Sequence, residues 1–230
     1  GIESMPPRYT WNGKPLNAGL ITTFNEYAIV SENRLTPVST SIDMEIASLF
    51  GCAVTTGFGV VENNAKLKLG ESVVVFGAGG VGLNIVQAAN LLSAYPIIAV
   101  DLHDDRLKLA KTFGATHTIN SSKTDAKEKI LEVLGGQGVD AFIDNTGQPA
   151  IVEMGYELTG PQGRVVLVGV PRKGNPIKIS IETINPKCCL SINREWIYEH
   201  QGETQKSRVY FSPVWYYENL EAKGKPTDYE

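Results

Sequence analysis

From Val73 onward one pattern recurs: a short apolar run, a turn, then one segment of helical period. The first run, Val73–Phe76, is continuously apolar, which predicts a strand buried on both faces of a parallel sheet. Helix Val81–Leu92 follows, then strand Pro96–Asp101, helix Asp104–Phe113 and strand His117–Asn120. Helix Ala126–Leu134 leads to strand Val139–Asn145, helix Ala150–Leu158 and strand Gly163–Val170. Strands separated by single amphipathic helices close only through right-handed crossovers. The pattern therefore predicts an α/β fold with a doubly wound parallel sheet.

The flanks are less regular. Residues 1–40 are punctuated by Gly and Pro around one strand-like run, "FNEYAIV" (Phe24–Val30), and Asp43–Glu62 has a helical pattern. After Pro186 the periodicity fades. "KCCLSINREWIYEHQ" holds one more strand-like run, and "SPVWYYENLEAKGKP" reads as a short helix stopped by Gly224 and Pro226. An apolar content of 42% is ample for a core, and a net charge of −4 offers no basic field for nucleic acid. No apolar run approaches the length needed to span a bilayer, and the start, "GIESMPPRYTWNGKP", has no secretion-signal pattern. Three cysteines, two of them adjacent (Cys188, Cys189), are no disulfide framework and point to a reducing, cytoplasmic compartment.

The stretch "VVVFGAGGVGLNIV" places Gly77, Gly79 and Gly82 in the spacing G-x-G-x-x-G, between a strand and a helix. Gly77 permits the tight turn, Gly79 lets a pyrophosphate approach the backbone, and Gly82 lets the helix pack close. With Gly80 and Val81 these residues open a helix whose N–H groups and dipole favour phosphate. Nineteen residues past Gly82, Asp101 ends the next strand, where an acid accepts hydrogen bonds from a ribose. A carboxylate there repels a 2′-phosphate, so NAD is favoured over NADP. FAD and S-adenosylmethionine proteins also use glycine turns with a later acid, and this segment does not separate them.

Seven pieces in order carry a resemblance: "PPRYTWNGKPL", "TTFNEYAIV", "GCAVTTGFGVV", "VVVFGAGGVGLNIV", "IIAVDLHDDRLKLAKTFGATHTIN", "GVDAFIDNTG" and "GRVVLVGVP". Over residues 1–186 the chain resembles the zinc-dependent medium-chain alcohol dehydrogenases, especially the class with the glutathione-dependent formaldehyde enzymes. The resemblance implies a Rossmann fold joined to a GroES-like β catalytic domain, and an NAD enzyme moving a hydride to or from an alcohol carbon. It implies that Cys52 is a zinc ligand and that Thr56 lies near the nicotinamide, with Val81 on its ring and Val168 and Val170 on the carboxamide side. It places Leu102 and Arg106 beside the adenosine, with Asn145 and Thr146 along the adenosine and ribose side.

A catalytic zinc needs three protein ligands and an open position. In the family the other cysteine and the histidine come from a segment this sequence does not contain, and His103, His117 and His200 have no matching setting. The resemblance therefore implies residues 1–40 as a remnant of the catalytic domain, 41–186 as the NAD-binding domain, and 187–230 as a last strand and the return toward the catalytic domain. On this reading the chain alone binds NAD(H), without zinc and without turnover, and names no catalytic residue. Two alternatives stay open: a non-catalytic NAD-binding module for regulation or assembly, and a polyol, threonine or sugar-derivative dehydrogenase of the same superfamily. A homodimer through the last sheet strand is a further expectation, since an unpaired edge invites a partner. Cys188 and Cys189 would point to opposite faces of a strand, and Trp215, Tyr216 and Tyr217 read as a surface that packs on another domain.

Overall fold

Along Val73–Phe76 and Ile97–Asp101 every residue is buried, and alternate apolar side chains go to opposite cores. The computed structural model describes residues 9–16, 26–28, 30, 32, 35–170, 176–178, 189–192 and 210–211. These belong to two compact units, 1–47 and 48–230.

In the first unit, β1 (Tyr9–Trp11) and β2 (Lys14–Leu16) pair antiparallel, with Trp11 opposite Lys14. Asn12 and Gly13 make the two-residue turn, both at positive φ (50° and 73°). Asn-Gly is the pair that such a tight hairpin favours, because its twist matches that of the strands. The strand expected at Phe24–Val30 is absent from its described residues, 26–28 and 30. Glu26, Tyr27 and Ala28 are exposed, Tyr27 at 90%.

The second unit is a seven-stranded parallel sheet, labelled in chain order: β3 (Val73–Phe76), β4 (Ile97–Asp101), β5 (His117–Asn120), β6 (Val139–Asp144), β7 (Thr159–Leu167), β8 (Cys189–Ile192) and β9 (Tyr210–Phe211). The spatial order is β5-β4-β3-β6-β7-β8-β9, which reverses direction at β3. That is the doubly wound Rossmann arrangement, and ligands of such sheets bind outside the strand ends at the reversal.

Five helices complete the layers: α2 (Thr55–Gly59), α3 (Gly80–Leu91), α4 (Asp104–Thr112), α5 (Ala126–Val133) and α6 (Pro149–Leu158), with α1 (Met44–Leu49) preceding them. Val73, Val75, Ile97, Ala99, Ala141 and Ile143 join Ile85 and Val86 of α3 and Leu107 of α4 in one core. Val74, Phe76, Ile98, Val100, Phe142 and Val165 join Ile130 of α5 and Val152 of α6 in the other. An unbroken apolar strand is thus the mark of a sheet covered on both faces. Side-chain capping and charge placement support the helix starts. Asp125 accepts a hydrogen bond from the Glu128 N–H at the head of α5. Pro149 opens α6, and Asp104 and Asp105 lie in the first turn of α4.

Two elements differ from the sequence reading, and a third follows it and adds a partner. Strand β7 begins at Thr159 and ends at Leu167, displaced toward the N-terminus from Gly163–Val170. A Cβ on Gly138 would stand 2.3 Å from the Gly160 Cα, so this glycine contact lets Thr159 pair with Val139 before the register shifts. Secondly, Met44–Asn64 is one helical stretch of 21 residues, apolar and long enough by composition to cross a membrane. Its mean hydropathy of 1.5 in the best window survives the glutamates and threonines that interrupt any apolar run. Its later half is core: Gly57, Gly59, Val60 and Val61 are buried, and a Cβ on Gly57 would lie 2.4 Å from the Asn84 Cβ of α3. Thirdly, the strand-like run after Pro186 forms β8 against β7, with Leu190 opposite Val165. On its other side β8 pairs with β9 at Ser191 and Ile192, so that edge is taken there. Cys188, His200, the expected helix after Ser212 and the aromatics at 215–217 lie outside the described residues.

At the end of the sheet away from the strand tips, Arg164 Nη1 donates to Glu71 Oε1 at 3.0 Å, and Nη2 donates to Oε2. This two-pronged ion pair ties the turn before β3 to β7. Burial would raise the Glu71 carboxyl, but the bonds and charge of Arg164 and the Lys68 N–H outweigh it and hold the pKa below the ordinary glutamate value. The contribution is therefore full above that ordinary value and is lost as pH falls through the lowered one. Glu71→Gln is expected to lower stability at pH 7 by about 1–3 kcal/mol, read from the urea midpoint. It should also flatten the acid side of the stability profile, and an unchanged profile would contradict this assignment.

Candidate functional site

Beyond the tips of β3 and β6, where the strand order reverses, the chain encloses a cleft of about 770 Å³. Its near wall is the glycine turn: Gly77, Gly79, Gly80, Val81 and Gly82. Asp101, Leu102, His103 and Arg106 form one side, and Asn145 and Thr146 the other. Ser121, Thr124, Lys127, Gln148, Ile151 and Met154 close the far end.

The glycine turn is shaped by close contacts. Gly77 sits at φ 92°, a region that side chains disfavour, and a Cβ there would stand 3.2 Å from Thr146 Cγ2. At Gly82 a Cβ would meet the Gly77 carbonyl oxygen at 2.0 Å, so α3 starts directly under the strand exit. Gly79 has open space around it. It is also the N-cap of α3 and supplies no side-chain cap. The first-turn N–H groups are therefore left for another acceptor, and they carry the positive end of the helix dipole.

Asp101 is 5% exposed at the end of β4. Its Oδ2 accepts the Ala78 N–H at 2.8 Å and lies 3.6 Å from Arg106 Nη1, while Oδ1 accepts the His103 N–H at 3.0 Å. The acid thus holds the glycine turn from the side. Each carboxylate oxygen can accept more than one bond, so capacity for a ligand hydroxyl remains. Across the turn, Asn145 Nδ2 donates to the carbonyls of Phe76 and Gly77 at 3.4 and 3.3 Å.

Asp144, which sequence reasoning passed over, is fully buried at the end of β6. Oδ1 accepts from the Thr146 N–H at 2.9 Å and the Thr146 hydroxyl at 2.6 Å, and Oδ2 accepts from the Gly147 N–H at 3.0 Å. Burial pushes this carboxyl above the ordinary aspartate value, and the bonds from Thr146 and Gly147 only partly oppose it. The signal was available: "DNTG" at a strand end is a sequence in which Asp can bond its own following backbone.

Of the residues expected at the site, the cleft brings together Gly77, Gly79, Gly80, Val81, Gly82, Asp101, Leu102, Arg106, Asn145 and Thr146. Thr56 and Val168 are half-buried away from its lining, and Val170 is 61% exposed. Val168 packs against the α3-side core. Cys52 carries an exposed free thiol in a wide π turn, Phe50–Val54. Among the described residues no three His, Cys, Asp or Glu stand together as a metal set.

A family profile described as zinc-binding dehydrogenase matches residues 80–206. An S-(hydroxymethyl)glutathione dehydrogenase of Synechocystis sp. is 36% identical over 173 residues, 74% of this chain and 47% of that protein. One from Photobacterium damsela subsp. piscicida is 37% identical over the same shares. Among solved structures, benzyl alcohol dehydrogenase from Acinetobacter calcoaceticus aligns with a TM-score of 0.69 at 35% identity, over 74% of this chain and 47% of its own. An alcohol dehydrogenase zinc-binding domain protein from Burkholderia ambifaria aligns at 0.63 and 36%, over 67% and 42%. The chain thus spans about half the length of the curated relatives it matches.

The glycine contacts give a paired expectation. Gly82→Ala forces the turn or the helix to move and is expected to lower stability by about 1–3 kcal/mol. Gly79→Ala meets nothing and should stay within about 0.5 kcal/mol of the parent. Urea unfolding of both variants checks this, and equal losses would mean that the close approach at Gly82 is not a constraint.

Proposed function

The chain belongs to the zinc-binding dehydrogenase family, and we propose that residues 41–186 are the NAD-binding part of an alcohol or aldehyde dehydrogenase. The observation that carries this reading is the uncapped start of α3 facing the cleft, with Asp101 one strand away. The N–H groups at Gly80 and Val81 would receive the pyrophosphate, with Gly79 allowing its close approach. Asp101 would accept a ribose hydroxyl, with Arg106 and Leu102 flanking the adenosine. Asn145 and Thr146 would line the ribose side, and Val81 would pack on the nicotinamide ring. Thr56, Val168 and Val170, which lie off the cleft lining, would serve the nicotinamide end in the whole protein.

A bound nicotinamide supplies the acceptor for a hydride, and the whole protein would take that hydride from a primary or secondary alcohol. The described residues orient the nucleotide; they hold no metal set. We therefore assign Cys52 as a zinc ligand only by resemblance, and expect no turnover from these 230 residues by themselves. The three cysteines of the sequence fit a cytoplasmic setting. A homodimer is the assembly the resemblance implies. It would need a surface other than the β8 edge at Ser191 and Ile192, which β9 already covers.

Titration of the purified chain with NADH and NADPH, followed by nucleotide fluorescence, tests the reading. NADH should saturate, NADPH should bind at least about tenfold more weakly because of the Asp101 charge, and Gly79→Ala should weaken NADH without unfolding the chain. Equal affinity for the two nucleotides would remove Asp101 from its role. Sustained alcohol oxidation by the chain alone would refute the expected lack of turnover.

A further inference from the structure

The tips of three neighbouring strands meet behind the cleft, and one residue, Asp144, stands between the other two, level with Phe76 and Leu167. The main-chain oxygen of Asp144 accepts the Val168 and Gly169 N–H groups at 2.8 and 2.9 Å, which ties in the exit of β7. Its carboxylate takes the Thr146 N–H, the Thr146 hydroxyl and the Gly147 N–H. The loop held this way abuts the glycine turn. Thr146 Cγ2 and Asn145 Cβ are the first atoms a Cβ on Gly77 would meet, at 3.2 and 3.3 Å. The fit continues on the other side, where a Cβ on Gly169 would lie 2.2 Å from the Gly147 nitrogen.

We infer that Asp144 is a positioning residue for nucleotide binding, fixing the 145–147 loop so that Asn145 and Thr146 brace the glycine turn and set the cleft wall. This rests on the reading of the cleft as a nucleotide site. Asp144 touches no part of the cleft itself, being fully buried and absent from its lining. Among the described residues no ion pair reaches it, so it does not serve as half of a salt bridge. A buried carboxylate without a cation is costly to keep for folding alone. The loop uses its two oxygens: three donors converge on them, and an amide of the same size offers only one.

Asp144→Asn keeps the shape but turns an N–H₂ group toward either Gly147 or Thr146. Thr146→Val keeps the carboxylate and removes one donor, so the test survives if the first variant does not fold. Amide exchange by mass spectrometry should quicken about tenfold in segments 145–148 and 168–169 of each variant, with α4 unchanged. NADH affinity should fall about tenfold in each single variant and about tenfold, not a hundredfold, in the double variant, because both act through one loop. Unchanged exchange in these segments of a folded variant overturns the inference, as does unchanged affinity or a hundredfold combined loss. If the parent chain binds no nicotinamide nucleotide, the reading of the cleft falls. The exchange rates then still decide whether Asp144 holds the wall.

Discussion

The first turn of α3 lies so close beneath the tip of β3 that a methyl group on Gly82 would sit 2.0 Å from the Gly77 carbonyl oxygen. Everything at this end of the sheet depends on that approach. It points the open end of the helix at the gap left by the reversal of strand order. It also leaves no space for a side chain at Gly82, and the turn draws its further support from outside.

That support comes from the two strands beside β3. On the β4 side, Asp101 receives the Ala78 N–H, and on the β6 side Asn145 donates to the carbonyls of Phe76 and Gly77. The turn is held between an acceptor on one flank and a donor on the other. Each is placed by the parallel register that sets Phe76 level with Val100 and with Asp144. Asp101 therefore does two jobs: its bond to Ala78 shapes the turn, and its charge faces the cleft beside Arg106. A substitution there would confound structure with selectivity, whereas Gly79 separates them because nothing packs on it.

The sheet was legible in the sequence because fully buried strands and amphipathic helices have different periods, and four strands, β3 to β6, fell within one residue of their observed limits. The start of β7 was not legible, since it depends on Gly138 meeting Gly160 across the sheet, a contact between residues far apart in sequence. The Asn12–Gly13 hairpin was legible and was passed over amid the prolines and polar residues around it. At the site, the glycine turn and Asp101 could be read from spacing and context. Asp144 was passed over because its partners are mainly backbone N–H groups, and only the turn-forming run Asp144–Gly147 hints at them. The far end of the cleft, with Ser121, Lys127, Ile151 and Met154, draws on α5, α6 and the loop before α5, and only folding brings these together.

The positions that shape the turn are distinct from several that face the cleft. At Gly82 an added Cβ would meet the Gly77 carbonyl oxygen at 2.0 Å, and Asp144 is held by three donors, while Gly79 has free space and Leu102 and Arg106 are about half exposed. Substitutions at the rim therefore carry little folding penalty, whereas those beneath it would be removed by instability before any change in ligand preference could be tried. A scaffold divided this way can change what its cleft prefers to hold by altering exposed residues one at a time. Its evolvability resides in the rim because its rigidity resides in the floor.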